Sequence, residues 1–405
     1  MKTTAVAIDF GSSKIVTLVA ENSGAQRCDI VGAGVSSYAG YLSTGWNEPD
    51  EKLNDAIKMS IADAEEQWGG KIRTVNVGVP GMFTHVYETK VKVPLKGTDP
   101  KVTSADVKQA FKLASESLED MPGAVIHSSP AWFMVDNSKK TLEPVGMKGR
   151  EMVAYISYVV ANRFFVDDIN MRMSQLGYNV EGYYSTSVGE SMLYISEQER
   201  DRTSVLIDIG YLNTEIIGVE GDAIIYHRML DMGGADIAVA LVDKLDITMD
   251  AAEEIKRKFV YGIETDGENY VIAGTDTEKG NTFTREQVKP VIYEAADQLA
   301  EEIRKALNDD FGGLGNWSSI FLTGGGLIMN HGGKEYLSGK LNKAVHETPR
   351  RTTKLNSHTF SSALGLLDLI IDTIERQHRP NNNTFGGKVK GFFSSLVGFF
   401  CFCRF

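Results

Sequence analysis

Ala5-Val6-Ala7-Ile8-Asp9-Phe10-Gly11-Ser12-Ser13-Lys14-Ile15-Val16 decides the fold of this 405-residue chain. The apolar run predicts a buried strand that ends on an acid, turns at Gly11 and leaves through Ile15-Val16-Thr17-Leu18-Val19 as a hairpin. An ordinary surface hairpin has the same outline, so the residues at its tip carry the functional argument. Gly11 has no Cβ, which lets a phosphate approach its backbone. The N–H and hydroxyl groups of Ser12 and Ser13 are donors, and Lys14 adds a point charge. Asp9 suits a hydrated Mg²⁺ beside the same phosphates.

A second stretch has the same form. Val205-Leu206-Ile207-Asp208-Ile209-Gly210 is again an apolar run, an acid, an apolar residue and a glycine, followed by hairpin strands over Thr214–Val219 and Ala223–Arg228. The opening strands, with Ile30–Val35 as the third, therefore recur as a βββ unit in mid-chain. Such a repeat predicts two similar domains facing each other across a cleft, each offering one acid and one phosphate-binding turn. Asp208, Gly210, Asn213 and Thr214 form the second turn. Gly233-Gly234 and Gly324-Gly325-Gly326, the latter after Ile320-Phe321-Leu322, are expected to lie flat against ribose and base.

Length and composition agree. At 405 residues the chain exceeds a single core. Its 42% hydrophobic and 24% charged residues are ordinary for a globular protein. A net charge of −12 argues against a general nucleic-acid binder, since phosphate backbones need a basic field. Cys28, Cys401 and Cys403 are too few for a disulfide framework or a four-cysteine zinc site, which fits a reduced cytosolic setting. The N-terminus lacks the form of a signal peptide, and no apolar run is long enough to span a bilayer.

Between the two repeats the pattern changes. Val86–Val93, a helix over Ser104–Leu118, Val125–Val135 and Met152–Val160 predict a small α+β module inserted into the first domain. A helix is expected over Glu51–Trp68, with Asp50 as its cap. Val75–Pro80 and Val180–Tyr184 read as strands, and Val166–Leu176 and Val188–Ile195 as helices. Further helices are expected over Gly234–Leu245, Met249–Phe259, Thr284–Leu307 and His358–Gln377, with a polar hairpin or loop at Thr265–Asn281.

The C-terminal end is a separate signal. Phe385, Val389, Phe392, Phe393, Leu396, Val397 and Phe400 fall at helical spacing, Phe399 adds bulk, and Lys388 and Lys390 lie toward the other face. A basic amphipathic helix rich in aromatics suits the plane of an anionic bilayer surface. A helix that docks on the protein itself or in a partner groove is the alternative.

Ile8-Asp9-Phe10-Gly11-Ser12-Ser13-Lys14, Ile207-Asp208-Ile209-Gly210 and Leu322-Thr323-Gly324-Gly325-Gly326 resemble the phosphate and adenosine motifs of the actin-like ATPase superfamily. The inserted module narrows the resemblance to the FtsA family of bacterial division proteins. Val102-Thr103-Ser104-Ala105-Asp106-Val107 is similar to a helix start in that family's 1C subdomain, and Pro144-Val145-Gly146-Met147-Lys148-Gly149 to one of its turns. Gly177–Gly182 and Ala252–Lys256 also resemble family positions. The resemblance implies an α/β, actin-like two-domain fold in which 1–82, 162–197 and about 355–378 form subdomain 1A. It also implies that 83–161 form the inserted 1C, 198–354 domain 2 (2A and 2B), 379–384 a linker and 385–405 a membrane-targeting helix.

The same resemblance implies ATP and Mg²⁺ as cofactors, with Glu253 and Lys256 joining the nucleotide site. It implies actin-like protofilaments, and a peripheral location on the cytoplasmic face of the membrane at the septum. The C-terminal peptide of FtsZ would be a partner, docking on subdomain 2B around the helix that carries Glu301, Glu302 and Arg304. A solvated helix face explains any one of those three equally well. One departure bears on chemistry. The family's second phosphate turn is rich in Gly and Thr, whereas here Gly210 precedes Tyr211-Leu212-Asn213-Thr214-Glu215. With no evident water-orienting residue in Tyr184–Gly189, nucleotide binding with slow or absent hydrolysis is expected. A pilus-assembly adaptor of the PilM type and a small-molecule kinase of the same superfamily are the alternatives. The terminal amphipathic helix argues against both, and fold alone does not separate them.

Overall fold

The computed structural model describes residues 3–22, 28–118, 121–262, 269–272, 281–311, 315, 318–349 and 355–378. The linker and tail at 379–405, and most of 263–280, lie outside them.

The opening hairpin is present as β1 (Thr3–Phe10) and β2 (Lys14–Asn22), followed by β3 (Cys28–Ser37). A small pair, β4 (Tyr41–Leu42) and β5 (Gly45–Trp46), leads to α1 (Asp50–Trp68) and β6 (Thr74–Val79). Next come β7 (Thr84–Pro94), α2 (Ser104–Ser115), β8 (Ala124–Val135) and β9 (Glu151–Ala161). Then α3 (Arg163–Gln175), β10 (Asn179–Ser185), α4 (Thr186–Tyr194) and α5 (Glu197–Arg200) complete the first half.

The second half opens on β11 (Ser204–Ile209), β12 (Thr214–Glu220) and β13 (Ala223–Leu230), then α6 (Gly234–Leu245) and α7 (Met249–Lys258). β14 (Asn269–Ile272), β15 (Asn281–Thr284) and α8 (Arg285–Lys305) follow. The last elements are β16 (Ile320–Thr323), α9 (Gly333–Leu341), β17 (Val345–Glu347) and α10 (Ser361–His378).

Two five-stranded sheets share one topology, in the orders β10-β6-β1-β2-β3 and β13-β12-β11-β16-β17. In each, three successive antiparallel strands are extended by two parallel ones, β6 and β10 or β16 and β17. The repeated βββ unit is therefore real in three dimensions. β1 is apolar along its length because both faces are covered. Val6, Ile8 and Phe10 join the core that contains Leu53, Ile57 and Ile61 of α1, while Ala5 and Ala7 pack with Leu366, Leu367 and Ile370 of α10. Burying each large aliphatic side chain contributes about 1.5–3 kcal/mol, so the central strand of each sheet is firmly held. Asp9 rides at its end as a consequence.

The inserted module is the separate sheet β7-β9-β8 with α2 on one face. Its helix starts where Thr103 caps the Asp106 N–H and Asp106 returns a bond to the Thr103 N–H. Its other face meets β13, where the Ser157 hydroxyl donates to the Ile224 carbonyl at 2.6 Å.

Three helix starts differ from expectation. Asp50 does not cap α1: Pro49 holds the cap position, and Asp50 is already helical. Its carboxylate instead meets the buried Arg172 guanidinium at 2.6 Å, across from Asp168 at 2.7 Å. Helices α3 and α4 begin earlier than their apolar patterns suggest, because Asn162 and Ser185 supply side-chain caps to Phe164 and Val188.

Candidate functional site

Because β1 and β11 are the central strands of matching sheets, their C-terminal ends bring Asp9 and Asp208 to one cleft. A cavity of about 450 Å³ lies there, within the range of small-molecule sites. Its lining includes Asp9, Gly11, Ser12, Ser13 and Lys14 from the first turn, and Asp208, Gly210, Tyr211 and Asn213 from the second. Glu253 and Lys256 of α7 and Gly324 and Gly325 after β16 complete the predicted set that reaches it.

Four predicted residues do not line the cavity. Thr214 is buried and donates its hydroxyl to the Met232 carbonyl at 2.8 Å. Gly233, Gly234 and Gly326 instead allow backbones to pack. A Cβ on Gly234 would lie 2.7 Å from the Gly326 Cα, and one on Gly326 would lie 2.5 Å from the Gly210 carbonyl oxygen. Gly233 would meet the Tyr211 carbonyl oxygen at 2.5 Å. These glycines let α6 and the third turn pack closely against the second. Gly324 lines the cavity and also packs closely: its φ is +90°, and a Cβ there would sit 2.1 Å from Asp208 Oδ1.

The two turns touch. The hydroxyl oxygen of Ser12 accepts from the N–H groups of both Tyr211 and Leu212 at 3.2 Å. The first turn is braced from behind, where the Tyr38 hydroxyl donates to the Gly11 carbonyl at 2.6 Å. Of the two bulky residues in the second turn, Tyr211 faces the cavity, with Lys256 Nζ 5.4 Å from its ring. Leu212 points elsewhere and comes close to Gly40. Lys256 itself donates to the Gly234 carbonyl at 2.7 Å and to Glu253 at 2.5 Å.

Negative charge dominates the floor. Burial raises the Asp9 carboxyl to about 6, against the opposing effect of the Ser362 hydroxyl, which donates to Oδ1 at 2.9 Å, and of the Lys14 charge. Asp208 is pushed up to about 7, first by burial and then by the Glu215 and Asp9 charges. Burial lowers the Lys14 ammonium to about 8, and that ammonium sits 3.8 Å above the Phe360 ring. Three groups are left incomplete by the protein: Asp208 Oδ1, Asn213 Nδ2 and Glu190 Oε1 are buried with no hydrogen-bond partner. Buried polar atoms without partners are rare, and two of these belong to residues that line the cavity.

Sequence reasoning missed several contributors. Glu215 faces the cavity from β12, where Ser187 donates to its Oε1 and His227 Nε2 lies 2.6 Å from the same atom. A lone acid inside the apolar run of β12 was the available signal. Glu190 is buried behind it, and burial with the Asp208, Glu215 and Asp9 charges holds its carboxyl well above the usual range. Ser362, Thr359 and His358 arrive from the far end of the chain. On the surface of α8, Glu301 pairs with Arg304 and Glu302 with Lys305, both at 2.7 Å, as a solvated face does.

Comparisons with known proteins narrow the fold. Residues 81–160 match the family described as "SHS2 domain inserted in FTSA", which coincides with the inserted sheet. The cell division protein FtsA of Streptococcus pneumoniae is 24% identical over 334 residues, 80% of this chain and 70% of the relative. FtsA of Neisseria meningitidis is 23% identical over 373 residues, 89% of this chain and 88% of the relative. The chain is related to FtsA.

Its fold is the actin-like two-domain fold with the α+β insertion found in FtsA. Residues 170–272 also match the family described as "Type IV pilus assembly protein PilM". A solved PilM–PilN type IV pilus biogenesis complex superposes with a TM-score of 0.61 at 17% identity, covering 91% of this chain and 98% of that one. Ethanolamine utilization protein EutJ from Carboxydothermus hydrogenoformans gives 0.50 at 12% identity, covering 90% and 89%. Those structural likenesses speak to fold, while the FtsA likeness runs along the sequence as well.

Proposed function

We propose that this protein is an FtsA-like, nucleotide-binding cell division protein that polymerises and tethers FtsZ filaments to the cytoplasmic membrane through residues 385–405. The observation that carries this reading is the joint presence of an FtsA-type insertion, sequence similarity to FtsA over most of the chain, and a cavity between two matching acid-bearing turns. Under this reading the subdomain boundaries follow the two sheets, with 83–161 as the insertion and 198–354 as domain 2. Among the described residues no helix is long and apolar enough to cross a membrane, so the membrane role rests on the terminal segment.

The residues at the cavity fit ATP with Mg²⁺. Gly11, Ser12, Ser13 and Lys14 would hold the phosphates from one side and Asn213 from the other, with Glu253 and Lys256 at the ribose. Among the described residues no group of three or more His, Cys, Asp or Glu side chains stands close enough to hold a metal directly. Asp9 and Asp208 would therefore hold the ion through its water shell, and the unpartnered Asp208 Oδ1 suits such a water. When bound, the ion neutralises phosphate charge. Lys14 would turn from the Phe360 ring to the phosphates. Hydrolysis is slow or absent, because the Tyr211 and Leu212 amides are engaged by Ser12 and Glu215 is fixed by Ser187 and His227.

The test is recruitment of purified FtsZ to anionic liposomes by the full chain, with and without ATP. Recruitment that requires the FtsZ C-terminal peptide supports the proposal, and its absence refutes it. The PilM likeness favours a second reading, an adaptor that takes a short peptide from a pilus-assembly partner. Capture of such a peptide without any effect of FtsZ would establish that reading instead.

A further inference from the structure

The second turn of this cleft has an unusual arrangement of donors. Two successive backbone N–H groups converging on one point form a small anion-binding nest. Here Tyr211 and Leu212 provide such a pair, but the atom at the focus is the hydroxyl oxygen of Ser12, 3.2 Å from each nitrogen. The neighbouring Gly210 N–H is also used, donating to the Asn213 carbonyl at 2.9 Å. The Ser12 backbone is held from behind. A Cβ on Gly40 would lie 2.1 Å from the Ser12 carbonyl oxygen and 2.9 Å from Leu212 Cδ1, so the loop behind is in contact with both turns. That loop is itself tied down where the Tyr38 N–H donates to the Ser13 carbonyl at 3.2 Å.

The Asn213 side chain shows the opposite condition. The residue is 7% exposed, lines the cavity, and its amide nitrogen has no acceptor. The Tyr41 hydroxyl interacts with the Asn213 side chain, yet Nδ2 is left without a well-formed hydrogen bond. A buried donor of this kind is costly unless something that enters the cavity accepts from it.

We infer that Ser12 occupies the acceptor position a terminal phosphate would take between the two domains, and that the Asn213 amide is the donor that replaces the turn. This rests on the nucleotide-binding reading above and adds a ligand class to it: the cleft takes nucleoside diphosphates and triphosphates alike. The inner phosphates meet the first turn, Lys14 and Asn213 in either ligand. The outermost phosphate of a triphosphate finds the Tyr211 and Leu212 amides already satisfied by a neutral hydroxyl, so it adds little. A cleft built this way responds to the presence of nucleotide and not to its hydrolysis state.

The experiment is calorimetric titration of the full chain with ADP and with a non-hydrolysable ATP analogue, each with Mg²⁺. The expected wild-type affinities differ by less than about fivefold. Ser12→Ala, which releases both amides, is expected to open a triphosphate preference of about tenfold or more, and Asn213→Ala to weaken both ligands by about tenfold at an unchanged ratio. Thermal melts of the unliganded variants confirm that they fold. If Ser12→Ala does not, the wild-type ratio and Asn213→Ala decide the matter. A wild-type preference for triphosphate above about fivefold, or undiminished binding to Asn213→Ala, overturns the inference while leaving nucleotide binding intact. If neither nucleotide binds the wild type, the nucleotide reading itself fails.

Discussion

Gly189 of α4 and Gly365 of α10 cross with their backbones in contact. A Cβ on Gly189 would lie 2.5 Å from the Gly365 carbonyl carbon, and one on Gly365 would lie 2.4 Å from the Glu190 nitrogen. The crossing sets how deeply Glu190 is buried beneath Asp9 and Asp208, and it delivers Ser362, three residues earlier on α10, to the Asp9 carboxylate. Helix packing at this separation is open only to residues without side chains.

The substitution Gly365→Ala should therefore destabilise the protein by about 1–3 kcal/mol through overpacking. At an ordinary exposed helical site the same change stabilises by about 0.5–1 kcal/mol, so the sign alone is diagnostic. Urea denaturation of the two proteins measures it, and a stabilised variant would show that the crossing is loose.

The acids of the cleft make stability depend on pH. Asp9 and Asp208 titrate near 6 and 7 in the folded protein against an ordinary value of 3.8. Between about pH 4 and 7 the folded state holds protons on these two acids that the unfolded chain has released, so their contribution to stability falls as pH rises through that window, opposed in part by the buried His127, which is lowered to about 4. Affinity for Mg²⁺-nucleotide should move the other way, since the ion needs ionised carboxylates. Asp208→Asn is expected to flatten the stability profile and to weaken the Mg²⁺-dependent part of nucleotide binding. Melting temperatures of the unliganded protein from pH 5 to 7.5 test the first statement, and a profile that rises with pH contradicts it.

Glu215 is the acceptor for two groups at once, the Ser187 hydroxyl and the His227 ring, and all three are buried or nearly so. Glu215→Ala should cost about 2–4 kcal/mol, because both partners lose their acceptor in a dry site. Glu215→Gln keeps one carbonyl oxygen and should cost less. Gly81→Ala should resemble the alanine variant, since its Cβ would lie 2.2 Å from Glu215 Oε1 and force the carboxylate out. Chemical denaturation of the three variants gives the order. Equal stability of Glu215→Ala and wild type would mean that the contacts carry no weight.

Much of this site is legible from local chemistry. The two hairpins are marked by apolar β-formers interrupted by Asp and Gly, and Asp9 and Asp208 stand out as acids at the ends of buried strands. Strand order is a different matter, because β11 finds β16 by parallel pairing across more than a hundred residues, and that pairing is what sets Thr323 beside Asp208. The glycines illustrate the same divide. Gly233, Gly234 and Gly326 look like ligand-facing residues in sequence, and the contact their backbones make with distant segments is not visible there. The Ser12 bond to the second turn joins residues about two hundred positions apart, and nothing local announces it.

The terminal segment carries the last prediction. Phe392, Phe393 and Leu396 would enter the bilayer interface, each contributing about 1.5–3 kcal/mol when buried. Lys388 and Lys390 would meet anionic headgroups at about 1 kcal/mol each. These two contributions are separable by vesicle composition. Replacing both lysines by glutamine should weaken binding to anionic vesicles by about thirtyfold and leave binding to neutral vesicles unchanged. Phe393→Asp should reduce both by about tenfold or more. Sedimentation with each vesicle type reads the difference, and nucleotide affinity provides the control because every residue that lines the cleft precedes this segment. If removal of residues 385–405 leaves sedimentation intact, the membrane contact lies elsewhere on the protein. If the lysine variant loses neutral-vesicle binding equally, the lysines support the helix itself rather than its attraction to charge.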